Sequence, residues 1–180
     1  APGKCVVHAI HFQEGEAKAR RVLELCREHG AAVVGLFIDE AGMARTAGRK
    51  LEVARRLVDL AVGDFGFNPS DLILDPLTFT LASGGEESRR SALETLEALA
   101  EIKARFHGVL TLLGVSNVSF GLKPAARHAL NALMLVHAVR HGLDLAIFNA
   151  ARVTPLSRLP EDVRRAGEDL IHDRRREGHD

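Results

Sequence analysis

The sequence predicts an α/β fold assembled from parallel βα units, and three observations carry that prediction. Five short apolar runs recur along the chain, each of strand length and nearly continuous in apolar character, as parallel strands covered on both faces require. Between them lie segments of helical period that close on a glycine, the residue favoured just past a helix C-terminus. Strand starts are spaced by roughly thirty to forty residues, the size of one βα unit.

The elements follow in order. KCVVHAI (4–10) is the first strand, and EAKARRVLELCREHG (16–30) the first helix, ending at Gly30. AAVVGLFIDE (31–40) is the second strand, followed by RKLEVARRLVDLAVG (49–63) as helix. DLILDPL (71–77) gives the third strand, and ESRRSALETLEALAEIKARFHG (87–108) one long helix after it. VLTLLGVSN (109–117) is the fourth strand; PAARHALNALMLVHAVRHG (124–142) opens with Pro124, tolerated in a first turn, and closes on Gly142. DLAIFNA (144–150) is the last strand, and a final helix from Pro160 runs into a charged tail over 170–180. No linker divides the 180 residues, so a single domain is expected over 1–180.

Composition excludes several classes. Twenty-four basic residues balance twenty-four acidic ones, which argues against a nucleic-acid or anionic-membrane partner. No apolar stretch reaches membrane-spanning length and no signal-peptide core opens the chain, so a cytoplasmic protein is expected. Cys5 and Cys26 lack redox or zinc spacing and are expected to be free and buried. Trp and Tyr are both absent, so stacking on a flat ligand falls to Phe, His or Arg.

In parallel α/β folds ligands bind beyond the carboxyl ends of the strands. Those ends carry His8 and His11, then Asp39 and Glu40, then Asp75, Asn117 and Asn149. Together they suggest a polar pocket rimmed by acceptors and amides. Basic residues are missing from the strand ends, and no Walker or dinucleotide glycine loop is present, so phosphate is not the expected anchor. A carboxylate in an apolar site suits a ligand with paired N–H donors, such as the amino-pyrimidine edge of a pterin or guanine. Asp75 is the first choice for that role, although an Asp before Pro76 also suits a simple turn.

GVSNVSFGLKPAARHALN, DLILDPLTFTLASGGEESRRSALETLEALAEIK and GLDLAIFNAA together closely resemble the methyltetrahydrofolate-binding domain of cobalamin-dependent methionine synthase, within the pterin-binding barrel superfamily. The resemblance implies a partial, five-stranded TIM-type barrel that binds 5-methyltetrahydrofolate and supports methyl transfer from N5 to a cobalamin carried on another domain. It implies that Asp75 binds the pterin's pyrimidine edge, and that Asn117 contacts the pterin near N5. Asp39, Asn149 and Phe120 are carried over as further substrate contacts at matching positions. A pyrophosphate-using relative such as dihydropteroate synthase fits less well, because the basic loop residues it requires are not evident.

Two features depart from that family. His8 stands where the family has a pterin-contacting carboxamide; a neutral imidazole offers only one donor and one acceptor. The family barrel has eight strands, and this chain is expected to begin where the fourth would stand. Strand number, tilt and shear are coupled, so five strands predict an open sheet, a homo-oligomer joined edge to edge, or completion by an N-terminal barrel fragment. A truncated or engineered fragment that only folds or self-assembles is the alternative function.

No metal is expected. His137 and His141 are four apart on one helix, with His128 nearby, but the pair lacks an intervening Glu and a third ligand. They are expected at the helix surface or end. His8 and His11 are three apart on a strand and face opposite sides.

Overall fold

The computed structural model describes residues 3–82 and 85–174. In chain order the elements are β1 (Val6–Ile10), α1 (Glu16–Glu28), β2 (Ala32–Leu36), a small hairpin of β3 (Ile38–Asp39) and β4 (Gly42–Met43), and α2 (Ala47–Val58). There follow β5 (Leu72–Asp75), α3 (Glu86–Arg89), α4 (Ser91–Arg105), β6 (Leu110–Gly114), α5 (Pro124–Arg140), β7 (Leu145–Ile147) and α6 (Glu161–Ile171).

Five strands form one parallel sheet in the order β1-β2-β5-β6-β7, which is also their order in the chain. A doubly wound sheet would reverse its strand order at a switch point. Here the order never reverses, so the sheet is an open arc of a TIM-type barrel, as expected from the sequence.

Strand pleating divides the core. Val33, Leu72 and Leu74 face α1 and α2 and join one buried cluster with Leu23, Val53 and Leu57. Their neighbours Val34 and Ile73 point to the opposite face, where they gather with Leu112 into a separate small cluster. A third cluster joins Leu113 to Leu96, Leu99, Leu133 and Met134 of α4 and α5. Gly35 makes room for the Leu57 side chain of α2 against the sheet: a Cβ there would stand 2.9 Å from Leu57 Cδ1.

The hairpin is additional to the five expected strands. Arg90, with φ −86° and ψ −1°, divides the single helix expected over 87–108 into α3 and α4. The helix expected over 49–63 ends as α at Val58 and continues as a π-helical turn from Asp59 to Asp64. Cys26 is buried as expected, whereas Cys5 is exposed, which corrects the expectation for Cys5. The reason is topological, since β1 is an outer strand of the sheet and is flanked on one side only. Both outer strands expose apolar side chains, Val6 on one and Leu145 and Ile147 on the other. Ile171 is fully buried at the start of the expected charged tail, and residues 175–180 of that tail lie outside the described residues. Among the described residues no helix is long and apolar enough to cross a membrane.

Candidate functional site

The segment from Asp75 to Thr80 leaves the centre of the sheet and builds a tight turn. Asp75 is 6% exposed, and its Oδ1 accepts a hydrogen bond from Leu77 N at 2.8 Å. Leu77 takes φ 63°, a left-handed conformation that disfavours a residue with a branched side chain by about 1–2 kcal/mol. The turn is held from outside. Lys50 Nζ of α2 donates to the carbonyl oxygens of Pro76 and Leu77, and Thr95 Oγ1 of α4 donates to the same Leu77 oxygen at 3.1 Å.

Lys50 is fully buried, with its ammonium 5.0 Å from the centre of the Phe79 ring. Burial pulls its pKa down to about 7, against the pull of the Asp75 and Glu94 charges. Burial acts oppositely on Asp75, raising its carboxyl to about 6, while the Leu77 N–H, His8 and Lys50 favour the charged form. Burial thus brings the Asp75 carboxyl of the turn and the Lys50 amine of α2 that holds it toward neutrality from opposite sides. Three residues past Asp75, Thr78 Oγ1 is buried with no hydrogen-bond partner among the described residues. Such orphaned buried hydroxyls are uncommon.

The next strand delivers Asn117. β6 ends at Gly114 and passes into a 3-10 turn from Val115 to Ser119. A Cβ at Gly114 would meet Asn117 Nδ2 at 3.1 Å, so glycine leaves room for the carboxamide to lie over the strand end. Asn117 is exposed, and its carboxamide has no hydrogen-bond partner among the described residues. Beneath it the buried Ser119 Oγ donates to Asn131 Oδ1 at 2.7 Å and accepts from Arg127 Nε at 3.2 Å, fixing the turn to α5. The loops after β5 and β6 are joined directly: Leu81 N donates to Val118 O at 3.0 Å and Thr80 Oγ1 to Phe120 O at 2.6 Å. Phe120 itself presents its ring to solvent, 67% exposed.

The other sequence-derived candidates have different surroundings. His8 on β1 is exposed and interacts electrostatically with Asp75. Asp39 is buried, and its carboxylate is engaged by Arg49, by Arg56 at 3.7 Å and by Ala41 N at 3.0 Å, which closes the hairpin turn. Asn149 Oδ1 accepts from Ala151 N at 3.1 Å. Asn149 also lines a cavity of about 240 Å³ between α5 and the end of β7, with Ser116, Arg127, His128, Asn131 and Arg152. Neither Asp75 nor Asn117 borders that cavity.

Sequence reasoning found no basic groups at the strand ends and missed those that α2 supplies. Arg49 and Arg56 reach Asp39, and Lys50 reaches the turn after Asp75. A signal for Lys50 existed. It falls in register with Val53, Ala54 and Leu57 on the buried stripe of its helix, where a lysine is out of place unless a polar partner awaits it.

A buried carboxylate and an unpaired carboxamide thus stand at the carboxyl ends of adjacent parallel strands in an open arc of a βα barrel. The chain belongs to the pterin binding enzyme family, whose profile matches residues 1–149. It is similar to the methionine synthases of Mycobacterium tuberculosis and Mycobacterium leprae, each 46% identical to it over 99% of the chain. It spans 15% of the length of either relative.

Proposed function

We propose that this domain binds 5-methyltetrahydrofolate at the β5 and β6 strand ends and supports transfer of its N5 methyl group to a corrinoid held on another domain. The observation that carries this reading is the joining of the Asp75 loop to the Asn117 loop through Thr80 and Leu81. Asp75 accepts the paired N–H donors of the pyrimidine edge, and the two hydrogen bonds offset the desolvation of its carboxylate. The unpartnered Thr78 hydroxyl supports a polar ligand beside it. Phe120 supplies an exposed ring beside the same loops, and His8 an exposed imidazole that interacts electrostatically with Asp75.

Cleaving a methyl group from a tertiary amine leaves a poor anion unless the nitrogen is protonated or hydrogen-bonded. Asn117 answers that need, because a carboxamide serves as donor or acceptor as charge develops on N5. The corrinoid supplies the nucleophilic acceptor. This chain's residues contribute orientation and electrostatics, with no covalent intermediate on the protein. Calorimetric titration of the folded protein with 5-methyltetrahydrofolate tests the reading; saturable heat lost in Asp75→Asn is the expected result, and no heat in the wild type would refute binding by this chain.

One observation favours a second reading, a fragment that mainly folds and self-associates. Val6 is 51% exposed and Ile147 54%, on the two outer strands, whose parallel edges are open to pairing. Light scattering after size exclusion separates the two: a concentration-dependent dimer that binds no folate supports the fragment, and a monomer that binds folate supports the first reading.

A further inference from the structure

We propose that α5 and α6 together form a binding site for a zinc-like divalent transition metal, with His137, Glu168 and His172 as ligands. One donor atom from each of the three side chains lies within 4.8 Å of the others. His137 Nε2 is 2.7 Å from Glu168 Oε2, and His172 Nε2 is 3.6 Å from the same oxygen. The two imidazoles meet edge to face, with ring centres 4.8 Å apart and planes at 82°.

Two i, i+4 pairs face each other here: His137 with His141, the residue just past α5, and Glu168 with His172, the residue just past α6. The first pair alone is incomplete, and the missing carboxylate and third nitrogen come from a helix about thirty residues later in the chain. His137 is buried, which corrects the surface position expected for it. Its neighbour His141 places Nδ1 2.7 Å from the His137 carbonyl oxygen, to which Nδ1–H donates.

Gly167 explains why the helices come so close. A Cβ at this position would stand 2.3 Å from Leu133 Cδ1 of α5, so a larger residue would force either the Leu133 side chain or the turn that carries Glu168 to shift. The glycine weakens α6 by about 1 kcal/mol relative to alanine, and close packing beside the cluster is its compensation.

Zinc binds histidine nitrogen and carboxylate oxygen at about 2.0–2.2 Å, which in tetrahedral geometry separates the ligands by roughly 3.3 Å. The observed 2.7 and 3.6 Å spacings to Glu168 Oε2 lie within an ångström of that value, and all three donor atoms lie within 4.8 Å of one another. Two imidazoles with one carboxylate suit zinc, cobalt or nickel and disfavour magnesium and calcium, which take oxygen ligands. The site lies near the C-terminal end of α5, roughly 20 Å along the helix from Pro124, so its role is to hold α6 in place. It is separate from the Asp75 and Asn117 loops and does not depend on the folate reading.

The test is titration of the chelator-treated 180-residue chain with cobalt(II) and zinc(II). One equivalent of cobalt should give the intense visible absorption of a four- or five-coordinate ion, and zinc should displace it and raise the melting temperature. Glu168→Gln keeps a hydrogen-bond acceptor for His137 but should weaken binding at least tenfold, as should His172→Gln, while exposed His29→Gln leaves it unchanged. Weak six-coordinate cobalt absorption in the wild type, or full affinity in folded Glu168→Gln and His172→Gln, would overturn the proposal.

Discussion

Thr80 donates its hydroxyl hydrogen to the Phe120 carbonyl at 2.6 Å, and this bond ties the loop that begins at Asp75 to the turn that presents Asn117. The two loops belong to neighbouring strands, β5 and β6, paired in register through Ile73 with Leu110 and Leu74 with Thr111. Strand pairing sets the spacing of the loops, and Thr80 holds them at it.

Thr80→Val should therefore loosen the relation between the loops with little effect on the core. A neutral hydrogen bond contributes about 1 kcal/mol. The expected outcome is a melting temperature lower by a few degrees and a roughly threefold to tenfold weaker affinity for 5-methyltetrahydrofolate by calorimetry. Thr80→Ser, which keeps the hydroxyl, should restore most of both.

Asp75 gives opposite pH signatures for folding and for binding. Its folded pKa, about 6, stands above its usual 3.8, so between those values the native state holds the proton more tightly than the unfolded chain. Relative to Asp75→Asn, the ligand-free protein should lose stability as pH rises from about 4 to about 6. Folate binding needs the charged carboxylate, so affinity should increase over the same range and level off above about pH 7. Asp75→Asn should abolish both slopes and weaken binding about tenfold to a hundredfold at pH 7.5, the effect of losing hydrogen bonds to a charged acceptor. Thermal melts and titrations across pH 4–8 check both signs.

Asn117 is exposed and unpaired, so its loss should leave stability unchanged. Asn117→Ala should lower the rate of methyl transfer to a reduced corrinoid about a hundredfold, with affinity for the folate changed less than threefold. An equal loss in both quantities would mean that Asn117 binds the ground state as tightly as the transition state.

Lys50 should produce a slope of its own at higher pH. Its folded pKa, about 7, stands below the usual 10.5, so the unfolded chain holds the proton more tightly through that interval. Stability from this group is lowest below pH 7 and rises as pH climbs toward 10.5. Lys50→Met should flatten that rise, removing roughly 5 °C of the gain in melting temperature between pH 7 and 10. The same change should also weaken folate binding, because Lys50 holds the carbonyls of the Asp75 turn.

Much of the fold was legible because its signals are local. Continuous apolar runs such as Leu72–Leu74, glycines closing helices, and Pro124 at a helix start are properties of a few adjacent residues, and the expected strands appear at those places. Helix interruptions were less legible. The break at Arg90 lies within good helical periodicity, where Glu94 of the new helix accepts hydrogen bonds from Arg90 Nε at 3.2 Å and from Ala47 N of α2 at 2.6 Å. No local pattern announces a contact between residues 47 apart.

The sequence by itself determined that βα units would follow one another, that Asp75 and Asn117 would stand at strand ends, and that no Walker or dinucleotide glycine loop was present. Only the tertiary structure decided what meets those groups: Arg49 and Arg56 on Asp39, Lys50 under the Asp75 turn, and Glu168 against His137. The division has a physical origin. Periodicity and turn chemistry act over a few residues and leave their mark in the chain, whereas the partner of a buried charge is fixed by packing between elements far apart in sequence.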